Sequence, residues 1–155
     1  MNICKIDISN FRGIKSASIL LNGNVVFVGD NNSGKSTIFE AIDLVMGPDR
    51  LARRPVIDEH DFYAGEYIKG DIPVEITVEV VVIGLKEEQL IHFGNHLEWW
   101  NNDNKSLLEG PPAANTDSAS VVPALRLKFV GNYDRPKKQR ISLVVLCRLL
   151  LSSNV

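Results

Sequence analysis

Cysteine is scarce in this chain, and so is any long apolar run. Among 155 residues there are two cysteines, Cys4 and Cys147. They lie far apart with no partner at metal-ligand spacing, which argues against a disulfide scaffold and for two free or buried thiols in a reducing compartment. The longest apolar stretch, ISLVVLCRLLL, is broken by Arg148 and falls well short of the ~20 residues a membrane span needs. The opening MNICKIDISNFRG alternates polar and apolar residues and lacks the apolar block of a signal peptide. An excess of one charge is missing too. Seventeen basic residues stand against 19 acidic ones, a formal charge of −2, so no broadly basic surface advertises nucleic acid. No internal repeat is visible. The expectation is a cytoplasmic, soluble protein with no membrane partner.

What is present suits one domain with a real core: 45% apolar and 23% charged residues are ordinary globular values. Cys4, Ile6 and Ile8 alternate with Lys5, Asp7 and Ser9, the pattern of a half-buried strand. Residues 10–13 turn the chain, and Ala17, Ile19 and Leu21 repeat the alternation. Residues 25–28 (VVFV) are apolar throughout, which predicts a strand covered on both faces. A helix is expected over 34–46, with Ile38, Ala41, Ile42, Val45 and Met46 on one face and Gly47-Pro48 as its stop. Val74, Ile76, Val78, Val80 and Val82 mark a long strand over 72–83. Residues 86 to about 100 read as a helix with Leu90, Ile91 and Leu97 inward. Residues 101–120 read as a mobile loop insertion, and Leu125, Leu127 and Phe129 alternate as a further strand.

The chemistry concentrates between the apolar run and the first helix. Gly29-x-x-x-x-Gly34-Lys35-Ser36 fits the phosphate-binding P-loop pattern at every specified position. Glycines let the backbone curl so that successive N–H groups face the phosphates, and the helix start adds its positive dipole end. Lys35 supplies a point charge for the β- and γ-phosphates, and the Ser36 hydroxyl is a ligand for Mg²⁺. A random chain of this length matches the pattern roughly once in two hundred times. Its place between an apolar strand and an amphipathic helix lowers that further. The reading is an ATP and Mg²⁺ site held by Gly29, Asn31, Asn32, Ser33, Gly34, Lys35, Ser36 and Thr37.

Two further pieces narrow the family. IDISNFRGIKSASILL followed by GDNNSGKSTIFEAI resembles the N-terminal half of the ABC-type ATPase heads of SMC-like and RecF-like DNA-maintenance proteins. There a strand ending in Asn-Phe-Arg leads through a hairpin to a loop of the form G-x-N-x-x-GKS/T, here Asn10, Phe11, Arg12 and then Gly29, Asn31, Gly34, Lys35 and Ser36. Beyond the helix, MGPDR, DEHDFY and LRLKFVGNYD are similar to the OLD (overcoming lysogenization defect) family of ATP-dependent nucleases. The resemblance covers about residues 1–134. It implies an α/β P-loop NTPase fold, the N-terminal half of an ABC-type head with a mixed β-sheet. It also implies Arg12 near the nucleotide with Phe11 beside it, a role in DNA repair, DNA as partner of the full-length protein, and a homodimer or higher oligomer.

Several parts of such a machine are missing. No Ser-Gly-Gly signature, no apolar Walker B strand ending in Asp-Glu, no downstream His and no Toprim carboxylate cluster can be found. VVVIGLKEE places a glycine and a lysine where the Walker B acids belong, and Gln89 is the candidate Mg²⁺-sensing glutamine. The acidic group Asp58, Glu59, Asp61, with His60, reads as a solvated loop and not a metal site, since no second ligand cluster accompanies it. Residues 135–155 (RPKKQR and a leucine-rich end) depart from the family pattern and are set apart as an atypical tail. Three readings follow: the ATP-binding segment of an OLD-like nuclease, an SMC- or RecF-like ATPase without a nuclease, or a nucleotide-binding module that does not hydrolyse ATP. No catalytic residue is assigned, and negligible hydrolysis by the chain alone is expected.

Overall fold

The computed structural model describes residues 1–31, 33–47, 56–112, 120–133 and, as backbone, 140–146. The alternation at the N-terminus becomes strand β1 (Asn2–Phe11), with Ile6 and Ile8 buried and Lys5, Asp7 and Ser9 partly exposed in alternation with them. β2 (Ile14–Leu20) folds back on it as an antiparallel partner. Helix α1 (Lys35–Met46) follows. A two-residue hairpin, β3 (Ile68–Lys69) and β4 (Ile72–Pro73), precedes β5 (Glu75–Ile83). After that come α2 (Glu87–Phe93), β6 (Leu97–Asn101), β7 (Ser106–Leu107), β8 (Val121–Asn132) and β9 (Arg140–Leu146).

The strands join in one sheet of order β2-β1-β5-β8-β6-β7, with β9 also on β8. Every ladder in it is antiparallel. The mixed sheet expected from the family resemblance is therefore not what the described residues form. β6 and β9 share one edge of β8: β6 takes residues 121–125 and β9 takes residues 126–132. Pro123 fits within β8 because it faces Trp99 at a point beyond the end of β5, where no donor is owed to a second neighbour.

Side-chain alternation builds two cores on opposite faces. On one, Ala41, Leu44 and Val45 of α1 pack with Ile6, Ile8, Val78, Val80 and Phe129. On the other, Cys4, Val81, Trp100 and Ala124 form a smaller cluster. Cys4 reaches that side because the register slips between Ile3 and Lys5. Hence Val80, Val81 and Val82 are all buried in succession.

Three expected elements change. Residues 25–28 form no strand, and Val26 and Val28 are 84% and 90% exposed. A strand buried on both faces needs ladder neighbours, and none of the described strands pairs with this run. Phe27 lies edge-on to Phe39 at 5.7 Å. The helix expected as far as Trp100 stops at Phe93, where Gly94 caps it and donates to the Leu90 carbonyl. The bulky Trp99 and Trp100 then pair with β8 as strand, the conformation aromatic residues favour. The described part of the expected loop insertion is a hairpin. Asn101 Oδ1 accepts from the Asp103 and Asn104 amides at 2.8 and 3.0 Å, and β7 pairs with β6. Residues 113–119 of that insertion lie outside the described residues. The long strand expected from residue 72 begins at Glu75, while β9 lies within the stretch set apart as a tail. Among the described residues no helix is long and apolar enough to cross a membrane.

Candidate nucleotide site

The glycine-framed loop ends on Gly34, which is left-handed (φ 86, ψ 5) and serves as the N-cap of α1. A left-handed cap without a side chain turns the loop sharply into the helix. The first turn of α1 carries no acidic residue, so nothing there opposes an anion drawn to the amides of Lys35, Ser36 and Thr37. Behind the turn the Ser33 amide donates to the Asp30 carbonyl at 3.2 Å.

Lys35 folds its ammonium back into the loop. Nζ donates to the carbonyls of Gly29 (2.5 Å) and Asp30 (2.6 Å) and to Ser33 Oγ (3.1 Å). Three oxygens converge on one cation, the inventory that phosphate oxygens replace when an ammonium holds a polyphosphate. Gly29 has no room for a side chain: a Cβ there would stand 2.9 Å from Ser33 Oγ. A cleft of about 700 Å³ opens over the loop, lined by Asn31, Ser33, Gly34, Lys35, Ser36 and Thr37 on one side and by Gly13 and Ile14 on the other. The structure thus gathers Asn31, Ser33, Gly34, Lys35, Ser36 and Thr37 around one space, with Gly29 behind Lys35. Asn32 lies outside the described residues. Gly13 and Ile14 were not singled out in the sequence, although they follow directly on the flagged Asn-Phe-Arg.

Arg12 is placed differently from the rest. Phe11 is buried in the core, and the Arg12 guanidinium lies over its ring at 5.3 Å. Instead of lining the cleft, Arg12 donates through Nε to Asp61 Oδ1 at 2.8 Å and through Nη1 to Glu40 Oε2. Partial burial opposes its charge, but the hydrogen bonds it donates to Asp61 and Glu40 outweigh that and hold its pKa above the ordinary value. The acidic loop is likewise more than a solvated run. Asp58 Oδ1 accepts the His60 amide at 2.8 Å and Asp61 Oδ2 accepts the Asp58 amide at 3.1 Å, capping a 3-10 turn (Glu59–Asp61). Gln89 serves its own helix, where its Oε1 accepts the Lys86 amide at 2.9 Å at the start of α2.

A glycine-framed loop running into a helix start, with a lysine beside it, sits here in an α/β domain. The chain belongs to the AAA ATPase domain family, whose profile matches residues 1–145. It is 30% identical over 118 residues to the uncharacterized protein MJECL44 of Methanocaldococcus jannaschii, covering 63% of this chain and 36% of that protein. It is 41% identical over 58 residues to the DNA replication and repair protein RecF of Mesorhizobium japonicum, covering 37% of this chain and 15% of that protein. The chain therefore spans well under half the length of either relative.

Proposed function

We propose that this chain is the Mg·ATP-binding segment of a DNA-acting ATPase of the RecF-like kind. The observation that carries the reading is the convergence of Gly29 O, Asp30 O and Ser33 Oγ on Lys35 Nζ at the mouth of α1. The residues fit the ligand: Lys35, Ser36 and Thr37 line the cleft at the helix start, and the first turn of α1 is free of carboxylates. Lys35 and the amides at the helix start would hold the β- and γ-phosphates, and Ser36 would hold Mg²⁺. The metal would neutralise charge on the phosphates; this chain's own residues cradle and orient them.

DNA as partner belongs to the same proposal, supported by the RecF relative, and assembly of the full-length protein into a dimer or higher oligomer is proposed with it. The nuclease implied by the OLD resemblance draws no support from the relatives. The test is calorimetric titration of Mg·ATP into the purified chain and its Lys35→Ala variant. Losing two charge-assisted hydrogen bonds of about 1.5–3 kcal/mol each predicts at least a hundredfold weaker binding by the variant, roughly. Equal affinity would sink the assignment.

A further inference from the structure

We propose that Arg12 is a positioning residue, which with Glu40 and Asp61 sets the spacing between the two walls of the cleft. The proposal rests on the nucleotide reading above.

Three separate segments meet at this guanidinium. Arg12 belongs to the turn between β1 and β2, Glu40 lies within α1, and Asp61 closes the capped 3-10 turn. The attachment to Asp61 is double, because the Arg12 amide also donates to the Asp61 carbonyl at 2.7 Å. Asp61 cannot drift, since its second oxygen holds the Asp58 amide. Below, Phe11 and Phe62 are both buried and joined by a backbone bridge. Arg12 also keeps a left-handed backbone (φ 48), a conformation that disfavours any residue with a Cβ and persists only where the surroundings impose it.

The consequence falls on the cleft. One wall, Gly13 and Ile14, follows Arg12 in the chain, and the other, Gly34 to Thr37, opens the helix that carries Glu40. A fork that grips Glu40 on one side and is anchored at Asp61 on the other fixes how far apart these walls stand. With two carboxylates already satisfied, the guanidinium has little charge to spare for a phosphate. The Arg12–Glu40 pair is also partly exposed, at 41% and 43%, so it adds little to global stability. Its effect should appear in ligand geometry.

The experiment titrates two probes, Mg·ATP and Mg·tripolyphosphate, into the wild type, Lys35→Ala, Glu40→Gln, Asp61→Asn, Arg12→Gln and the Arg12→Gln/Glu40→Gln double variant, with thermal melts alongside. Tripolyphosphate carries only the group that the loop wall is proposed to hold, while ATP adds a sugar and base to fill the rest of the cleft. The expected result is an about tenfold loss of Mg·ATP affinity in each of Glu40→Gln, Asp61→Asn and Arg12→Gln, through lost preorganisation. The double variant should be no weaker than the singles, with tripolyphosphate binding and melting temperatures near wild type. If Arg12 instead touches the nucleotide, Glu40→Gln will bind as well as wild type or better while Arg12→Gln weakens both probes, and the proposal falls. It falls equally if affinity and melting temperature drop in parallel, since the contacts are then merely structural. A wild type that binds no Mg·ATP overturns the nucleotide reading itself, and this proposal with it. Loss of Mg·ATP affinity alone in the positioning variants, while Lys35→Ala abolishes binding of both probes, supports both.

Discussion

Gly29→Ala is the sharpest probe of the loop, because one added carbon has one defined neighbour. A Cβ at this position would lie 2.9 Å from Ser33 Oγ, 3.5 Å from Ser33 Cβ and 3.9 Å from Lys35 Nζ. The hydroxyl must move, and it is one of the three acceptors around the ammonium. Forcing a serine off its preferred rotamer costs about 0.5–1.5 kcal/mol. Carried by the loop in its phosphate-bound form, that strain predicts a loss of about 0.5–1.5 kcal/mol, or ~2–13-fold in Kd for Mg·ATP. The fold should hardly notice, since Gly29 is exposed and such surface changes stay within about 0.5 kcal/mol. Calorimetry and a thermal melt read the two quantities. The crowding argument also requires Ser33→Gly to rescue Gly29→Ala, because the displaced atom is then gone. A double variant as weak as the product of the two singles, or a single variant with unchanged Kd, would refute the reasoning.

Two other outcomes concern the second core. Burial pushes the Cys4 thiol up from 9.0 to about 11, against smaller opposing effects of its backbone hydrogen bond and of Lys105 and Lys5. The unfolded chain releases this proton first, so the thiol's contribution to stability is intact below pH 9 and is lost as pH rises from 9 through 11. Melting temperature should fall over that window less in Cys4→Ala than in wild type, and parallel curves would contradict the assignment. Arg126 reaches the nearly buried Glu98 at 2.9 Å and Glu79 at 3.6 Å. Arg126→Ala strands Glu98 and should cost about 1–3 kcal/mol by urea denaturation, discounted for the partial exposure of Arg126. Glu98→Gln, which keeps a hydrogen-bond partner for Arg126, should cost less.

Much of the sheet was legible because period-two patterns survive into the structure. Ile6 and Ile8, Val78, Val80 and Val82, and Phe129 all face the core their alternation assigned. Helix α1 lies where its apolar spacing and Gly47 placed it. Residues 25–28 show the limit of that reasoning. Four consecutive apolar residues announce burial but cannot name a partner, and here no described strand supplies one. Trp99 and Trp100 were hidden by a helical pattern that Gly94 should have ended. The glycines, Lys35 and Ser36 of the loop were readable from spacing alone. The attachment of Arg12 to Asp61 was not, because the two are 49 positions apart and no local pattern encodes such a pairing.

The pairing of β1 with β5 has a consequence for the order in which this chain matures. β1 and β2 leave the ribosome together and can close their hairpin at once, with the loop and α1 close behind. The inner edge of β1, however, waits for partners roughly 70–80 residues downstream, a delay of several seconds at roughly 5–20 residues per second of synthesis. Until then α1 lacks Val78 and Val80 to pack against, and the cleft has one firm wall. The nascent chain therefore carries its phosphate-loop sequence well before it carries a site, and during that interval Ile6 and Ile8 stand on an open strand edge, the feature that invites capture by chaperones or by another chain.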